Sequence, residues 1–119
     1  MGEARYDSTR NRYVTGPDAA EEILQPVDGA ITHVPGKHAL TKGSIGAYTL
    51  SVPTAAEQGT RILIVSRTAF AHVVTVAGGL GGNAADNVLT FAKVGDGIEL
   101  EADGLFWVPT GAPYGVVIS

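Results

Sequence analysis

Downstream of Asp28 the chain is cut into short β-type runs by turn residues, and no stretch keeps a helical period long enough to serve as a βαβ crossover. The runs are residues 30–34, 47–52, 61–67, 71–77, 88–92, 97–102, 105–109 and 115–119. Between them stand Pro35-Gly36, Lys42-Gly43, Gly59, the stretch from Gly78 to Asn83, Gly95-Asp96, Asp103-Gly104 and the stretch from Gly111 to Pro113. Sixteen glycines and six prolines in 119 residues suit this rhythm of short strands and tight connections. The expected fold is all-β: an antiparallel β-sandwich, jelly-roll-like, or a small barrel, over residues 28–119, with an extended N-terminal arm over residues 1–27.

Individual runs say which face each strand covers. In "IELEA" Ile98 and Leu100 share one face while Glu99 and Glu101 share the other, so that strand has one face in water. By contrast "ILIV" at 62–65 is apolar on both faces and predicts a cover on each side. In a chain this small the second cover is expected from another subunit, which places Ile62 and Ile64 at an oligomer interface. In "GLFWV" Phe106 and Trp107 point to opposite faces, one of them into the core. The other needs a second apolar cover, and an inter-subunit contact at Trp107 is the expected account, ahead of a sugar-stacking platform. Asp103-Gly104, flanked by two strand runs, is the strongest hairpin signal.

Residues 1–27 read differently. They are polar, and Arg5, Arg10 and Arg12 stand beside Tyr6 and Tyr13. "GPDAAEEIL" predicts a short helix with Asp18 as N-cap and Glu21 closing a capping box, stopped at Pro26. Two readings of this arm stand side by side: a disordered terminus, or a segment that orders on a partner through Arg and Tyr anchors.

Candidate chemistry is thin. Residues 79–84, "GLGGNA", fit G-x-G-x-x-A after a strand, but β-type residues resume in "NVLTF" before a helix has room to form. The loop therefore has no helix dipole to hold a phosphate and reads as a turn. His33, His38 and His72 match no zinc spacing, and the chain has no cysteine. Glu99 and Glu101, ~7 Å apart along one strand, resemble a glycosidase pair in spacing but belong to an alternating polar face. Ser44, Ser51 and Ser66 lack a G-x-S-x-G setting. The expectation is a protein that is not an enzyme and uses no metal or other cofactor. A net charge of −4 argues against a nucleic-acid partner. No apolar run reaches the ~18 residues of a membrane span, and the N-terminus lacks the apolar core of a signal peptide.

The second half has an ordered set of motifs. Gly59 to Thr75 reads "GTRILIVSRTAFAHVVT"; the glycine loop follows, then Thr90-Phe91, "GDGIELEA" from Gly95 to Ala102, "GLFWV" from Gly104 to Val108, and a closing "GVVIS". This order resembles structural proteins of tailed bacteriophages, among them head decoration (cement) proteins and related β-rich fibre or tail modules. It covers about half the chain and departs at Phe106, where that pattern often carries a basic residue. The resemblance implies a virion component made in the host cytoplasm, β-rich and trimeric. It would sit on the outer capsid surface, with self and the major capsid protein as partners. Arg5, Tyr6, Arg10, Arg12 and Tyr13 are then the expected capsid contacts of the arm. The alternative within the same resemblance is a short fibre module that binds host-surface glycans.

Overall fold

A computed structural model describes residues 22–119, and the backbone of residues 5–7 and 12–14. Strands β1 (Arg5–Asp7) and β2 (Arg12–Val14) pair antiparallel, with Tyr6 opposite Tyr13. The side chains of Arg5, Tyr6, Arg12 and Tyr13, and all of Arg10, lie outside the described residues, as does the expected helix from Gly16 to Glu21. Where that helix expectation reaches described residues it is corrected, because Glu22–Gln25 is strand β3. Its helix-permissive residues are recruited by the edge of a sheet, where ladder hydrogen bonds and a Glu22–Arg67 ion pair override a weak local propensity.

The remaining strands are β4 (Gly29–Ala30), β5 (Gly36–Leu40), β6 (Ala47–Leu50), β7 (Arg61–Ser66), β8 (His72–Val76), β9 (Val88–Phe91), β10 (Gly97–Ala102), β11 (Trp107–Pro109) and β12 (Val117–Ile118). Together with β3 they form two five-stranded sheets, ordered β11-β10-β7-β5-β3 and β12-β9-β8-β6-β4. Seven of the eight runs expected from the sequence contain a strand, several of them trimmed at the ends; the run over residues 30–34 meets β4 only at Ala30, and residues 31–34 are not strand.

The fold is all-β, and both sheets are mixed. From β3 to β8 the chain alternates between sheets, so β3, β5 and β7 run parallel in one and β4, β6 and β8 run parallel in the other. The wholly antiparallel arrangement expected from the sequence is corrected on this point. Parallel neighbours need a long crossover, and here a strand of the opposite sheet takes the place of a crossover helix. From β9 onward the pairing is antiparallel: β9 on β8, β10 on β7, β11 on β10 and β12 on β9. Each sheet keeps two edge strands, so neither closes into a barrel.

One apolar layer joins the two sheets. Ile62, Ile64, Ile98, Leu100, Leu40 and Trp107 come from the first sheet, and Tyr48, Leu50, Val74, Val76, Leu89 and Phe91 from the second. All of these are buried in the single chain. The Asp103-Gly104 hairpin forms between β10 and β11, with the Asp103 carboxylate accepting from the Leu105 and Phe106 amides at 2.9 and 2.7 Å.

Candidate functional site

The glycine-rich loop turns a corner. Leu80–Gly82 and Ala84–Asp86 are single 3-10 turns, so no helix N-terminus faces a ligand. Leu80 plugs into the core, and the Phe106 ring packs over Gly78 and Gly82. Gly79 has φ 79°, and a Cβ there would lie 1.8 Å from the Asn83 carbonyl oxygen, so the tight turn requires glycine.

The expected oligomer interface is corrected. Ile62, Ile64 and Trp107 are fully buried inside one chain and present no surface to a partner. Of the pair left open by the sequence, Trp107 fills the core and donates its indole N–H to the Ser51 carbonyl at 2.9 Å, while Phe106 is half-buried on the glycine loop. A sugar platform at Trp107 is ruled out by the same burial. On the other face of "ILIV", Leu63 is half-buried and Val65 is 7% exposed without any second subunit. An Arg67–Glu22 ion pair spans β5 on that side, over the small Ala39.

The two outer faces differ in charge. The first sheet carries Glu22, Lys37, Arg61, Glu99 and Glu101 in its strands. Arg61 pairs with Glu101 at 3.1 Å, and Glu99 accepts from the Thr110 hydroxyl at 2.7 Å, so these carboxylates hold a solvated sheet face rather than a cleft. The five strands of the second sheet contain no Asp, Glu, Lys or Arg. Register places Val117, Thr90, Val73 and Ala47 side by side in one outward row, and Val88, Thr75, Thr49 and Ala30 in the next. Val117 is 61% exposed. At the end where β6 and β8 begin and β9 finishes, the flanking Ile45, Phe70 and Val94 are exposed as well. The result is a Thr/Val/Ala face with no charge within its strands, whose rim at this end combines exposed apolar side chains with the Asp28–Lys42 ion pair beside Ala47.

The histidines separate into two kinds. His38 and His72 are fully buried. At His72, Nδ1 accepts from the Gly46 amide at 3.0 Å and Nε2 lies 2.6 Å from Thr68 Oγ1. Thr68 spends its one proton on the Lys42 carbonyl, so Nε2 carries the hydrogen and His72 is neutral. Burial pushes its pKa down, and nearby Lys42 adds to this. His38 donates from Nε2 to the Val34 carbonyl at 2.7 Å and accepts at Nδ1 from the Gln25 amide at 3.3 Å. Burial lowers its pKa too, with the Val34 bond opposing and His33 adding to the shift.

His33 is half-buried and sits in a different setting. Its Nδ1 lies 2.9 Å from Glu57 Oε1, and its Nε2 lies 3.0 Å from Ser51 Oγ. The ring stands edge-on to Trp107 with centroids 5.2 Å apart. Glu57 is held in turn by the Thr54 amide at 2.8 Å, which, with the His33 bond, keeps its pKa below the usual carboxylate value. Sequence reasoning passed over Ser51 for want of a nucleophile motif; Ser51 and Glu57 share the connection that follows β6, and His33, from the segment between β4 and β5, meets them only in the fold. The Thr54–Glu57 spacing of a capping box was the one local signal.

Among the described residues no three His, Asp or Glu side chains gather into a metal-holding group, and no helix is long and apolar enough to cross a membrane. No protein-family model matches the chain, and no curated protein matches it.

Proposed function

We propose that the chain is a structural component of a tailed-phage virion: a homotrimeric decoration (cement) protein seated on the outer capsid surface. The observation that carries this reading is the uncharged outer face of the second sheet. A monomer in water has no need to clear one whole sheet of Asp, Glu, Lys and Arg while loading the other with them. Further copies of the same chain are the partners that suit such a face, because three copies packed around a three-fold axis can bury it against one another without stranding a charge. The order of motifs from Gly59 to Ser119 supports the virion assignment, as set out from the sequence.

In this role the protein works by mass action. An oligomer that binds only the assembled shell stabilises that state by its binding free energy, and three linked arms raise the effective concentration of each contact. The arm residues Arg5, Tyr6, Arg10, Arg12 and Tyr13 are the proposed capsid contacts, and the role calls for no catalysis. The test is co-sedimentation of the purified chain with capsids of its own phage. Binding by the full chain, lost on deletion of residues 2–16 while the oligomer persists, is the expected result. Capsid binding that survives the deletion would overturn the arm's part, and no binding by the full chain would overturn the decoration role.

A further inference from the structure

We propose that Ser51, His33 and Glu57 form a serine-nucleophile triad that hydrolyses short-chain acyl esters presented from solvent. The carboxylate of Glu57 only accepts hydrogen bonds, so its bond to His33 assigns the ring proton to Nδ1 and leaves Nε2 as a lone pair. The Ser51 hydroxyl 3.0 Å away donates to that lone pair. This is the nucleophile–base–orienter chain of acyl-transfer enzymes, recognised by geometry and role rather than by sequence order.

The array is held from behind. Glu57 is pinned by the Thr54 amide. Trp107 lies edge-on to the His33 ring and also bonds the Ser51 carbonyl, so one buried indole fixes both base and nucleophile backbone. Ser51 itself is exposed, and the neighbouring Val34 and Val52 expose apolar side chains. Val52 and the Phe106 ring both come close to Gly78. An apolar lip next to an open hydroxyl suits a small acyl group better than a long or charged one.

In the first step Ser51 Oγ bonds to the ester carbonyl carbon, and its proton passes to His33 Nε2 while the carbonyl electron pair moves onto oxygen. When that pair returns, the bond to the alcohol oxygen breaks, and the alcohol leaves with the proton from Nε2. Water then attacks the Ser51 acyl ester with the same base, releasing the carboxylic acid and restoring the hydroxyl. Glu57 holds the tautomer and stabilises the imidazolium, which makes it a positioning residue.

The experiment treats the full chain with a fluorophosphonate probe, maps the adduct by peptide mass spectrometry, and follows p-nitrophenyl butyrate hydrolysis in parallel. One adduct on Ser51 is expected, with hydrolysis lost in Ser51→Ala and slowed about a hundredfold in His33→Gln. Glu57→Gln should slow labelling and also shift its pH profile, which a purely structural role would leave in place. Circular dichroism and solution mass of Ser51→Ala should match the parent, which separates this claim from the oligomer proposed above. Absence of an adduct at Ser51, or hydrolysis unchanged in Ser51→Ala, would overturn it.

Discussion

His72 shows how much one buried side chain is asked to join. It receives the Gly46 amide at the start of β6 and donates to Thr68, which in turn reaches the Lys42 carbonyl. Protonating Nδ1 would turn the Gly46 acceptor into a second donor facing an N–H. His38 makes a comparable link from β5 to Gln25 on β3 and to Val34. Both imidazoles are depressed below their ordinary value, so the unfolded chain takes up protons that the folded chain refuses. Their stabilisation is therefore complete above pH ~6.5 and is lost as pH falls below that value. Melting temperature should drop between pH 7.5 and 5, and a His38→Gln/His72→Gln double variant should flatten that slope. Thr68→Val, which strands His72 Nε2–H and the Lys42 carbonyl, should cost about 1–3 kcal/mol in denaturant unfolding. Trp107→Ala should cost about 3–5 kcal/mol as a core truncation, where an interface role would have left the isolated chain's stability almost unchanged. That Phe106 and Trp107 part ways was legible from their adjacency on a strand. Which one goes inward was not, because the choice depends on Ser51 and His33, more than fifty positions upstream.

Strands with clear patterns were the ones sequence reading recovered. "GIELEA" is observed over its whole expected span, Gly97–Ala102, and "RILIVS" ends one residue short of expectation. Strands Glu22–Gln25 and Gly36–Leu40 were missed because their code is non-local. "GKHAL" places a lysine outward and a buried histidine inward, a pattern that becomes strand-like only when Gln25 and Val34 satisfy the imidazole. Parallel pairing was hidden for a related reason: its crossover is a strand of the other sheet, which in sequence looks like one more hairpin partner. The uncharged composition of β4, β6, β8, β9 and β12 was printed in the sequence all along, but only the sheet order gathers those five strands onto one face. A charge placed there should act on association rather than folding. Val73→Lys is expected to weaken self-association in sedimentation velocity with little change in melting temperature, and Glu99→Lys on the opposite face is expected to leave the sedimentation coefficient as it was.

At the scale of the whole molecule, the chain divides its surfaces by chemistry. One sheet meets water with paired charges, and the other presents Thr, Val and Ala. The Ser51–His33–Glu57 array draws its serine and its histidine from the ends of strands of that second sheet, just after β6 and a few residues beyond β4. Ile62, Ile64 and Trp107, read from sequence as the seam between subunits, instead form the seam between the two sheets of a single subunit. The sequence signal was the same in both cases, an apolar face needing cover, and only the fold says whose face supplies it. In the proposed trimer the second sheet finds its cover in neighbouring copies. The most direct test is the solution mass of the full-length chain by light scattering after size exclusion, across a dilution series. A species of three times the 12.2 kDa chain mass that persists on dilution is the predicted result; a single-chain mass at every concentration would contradict it.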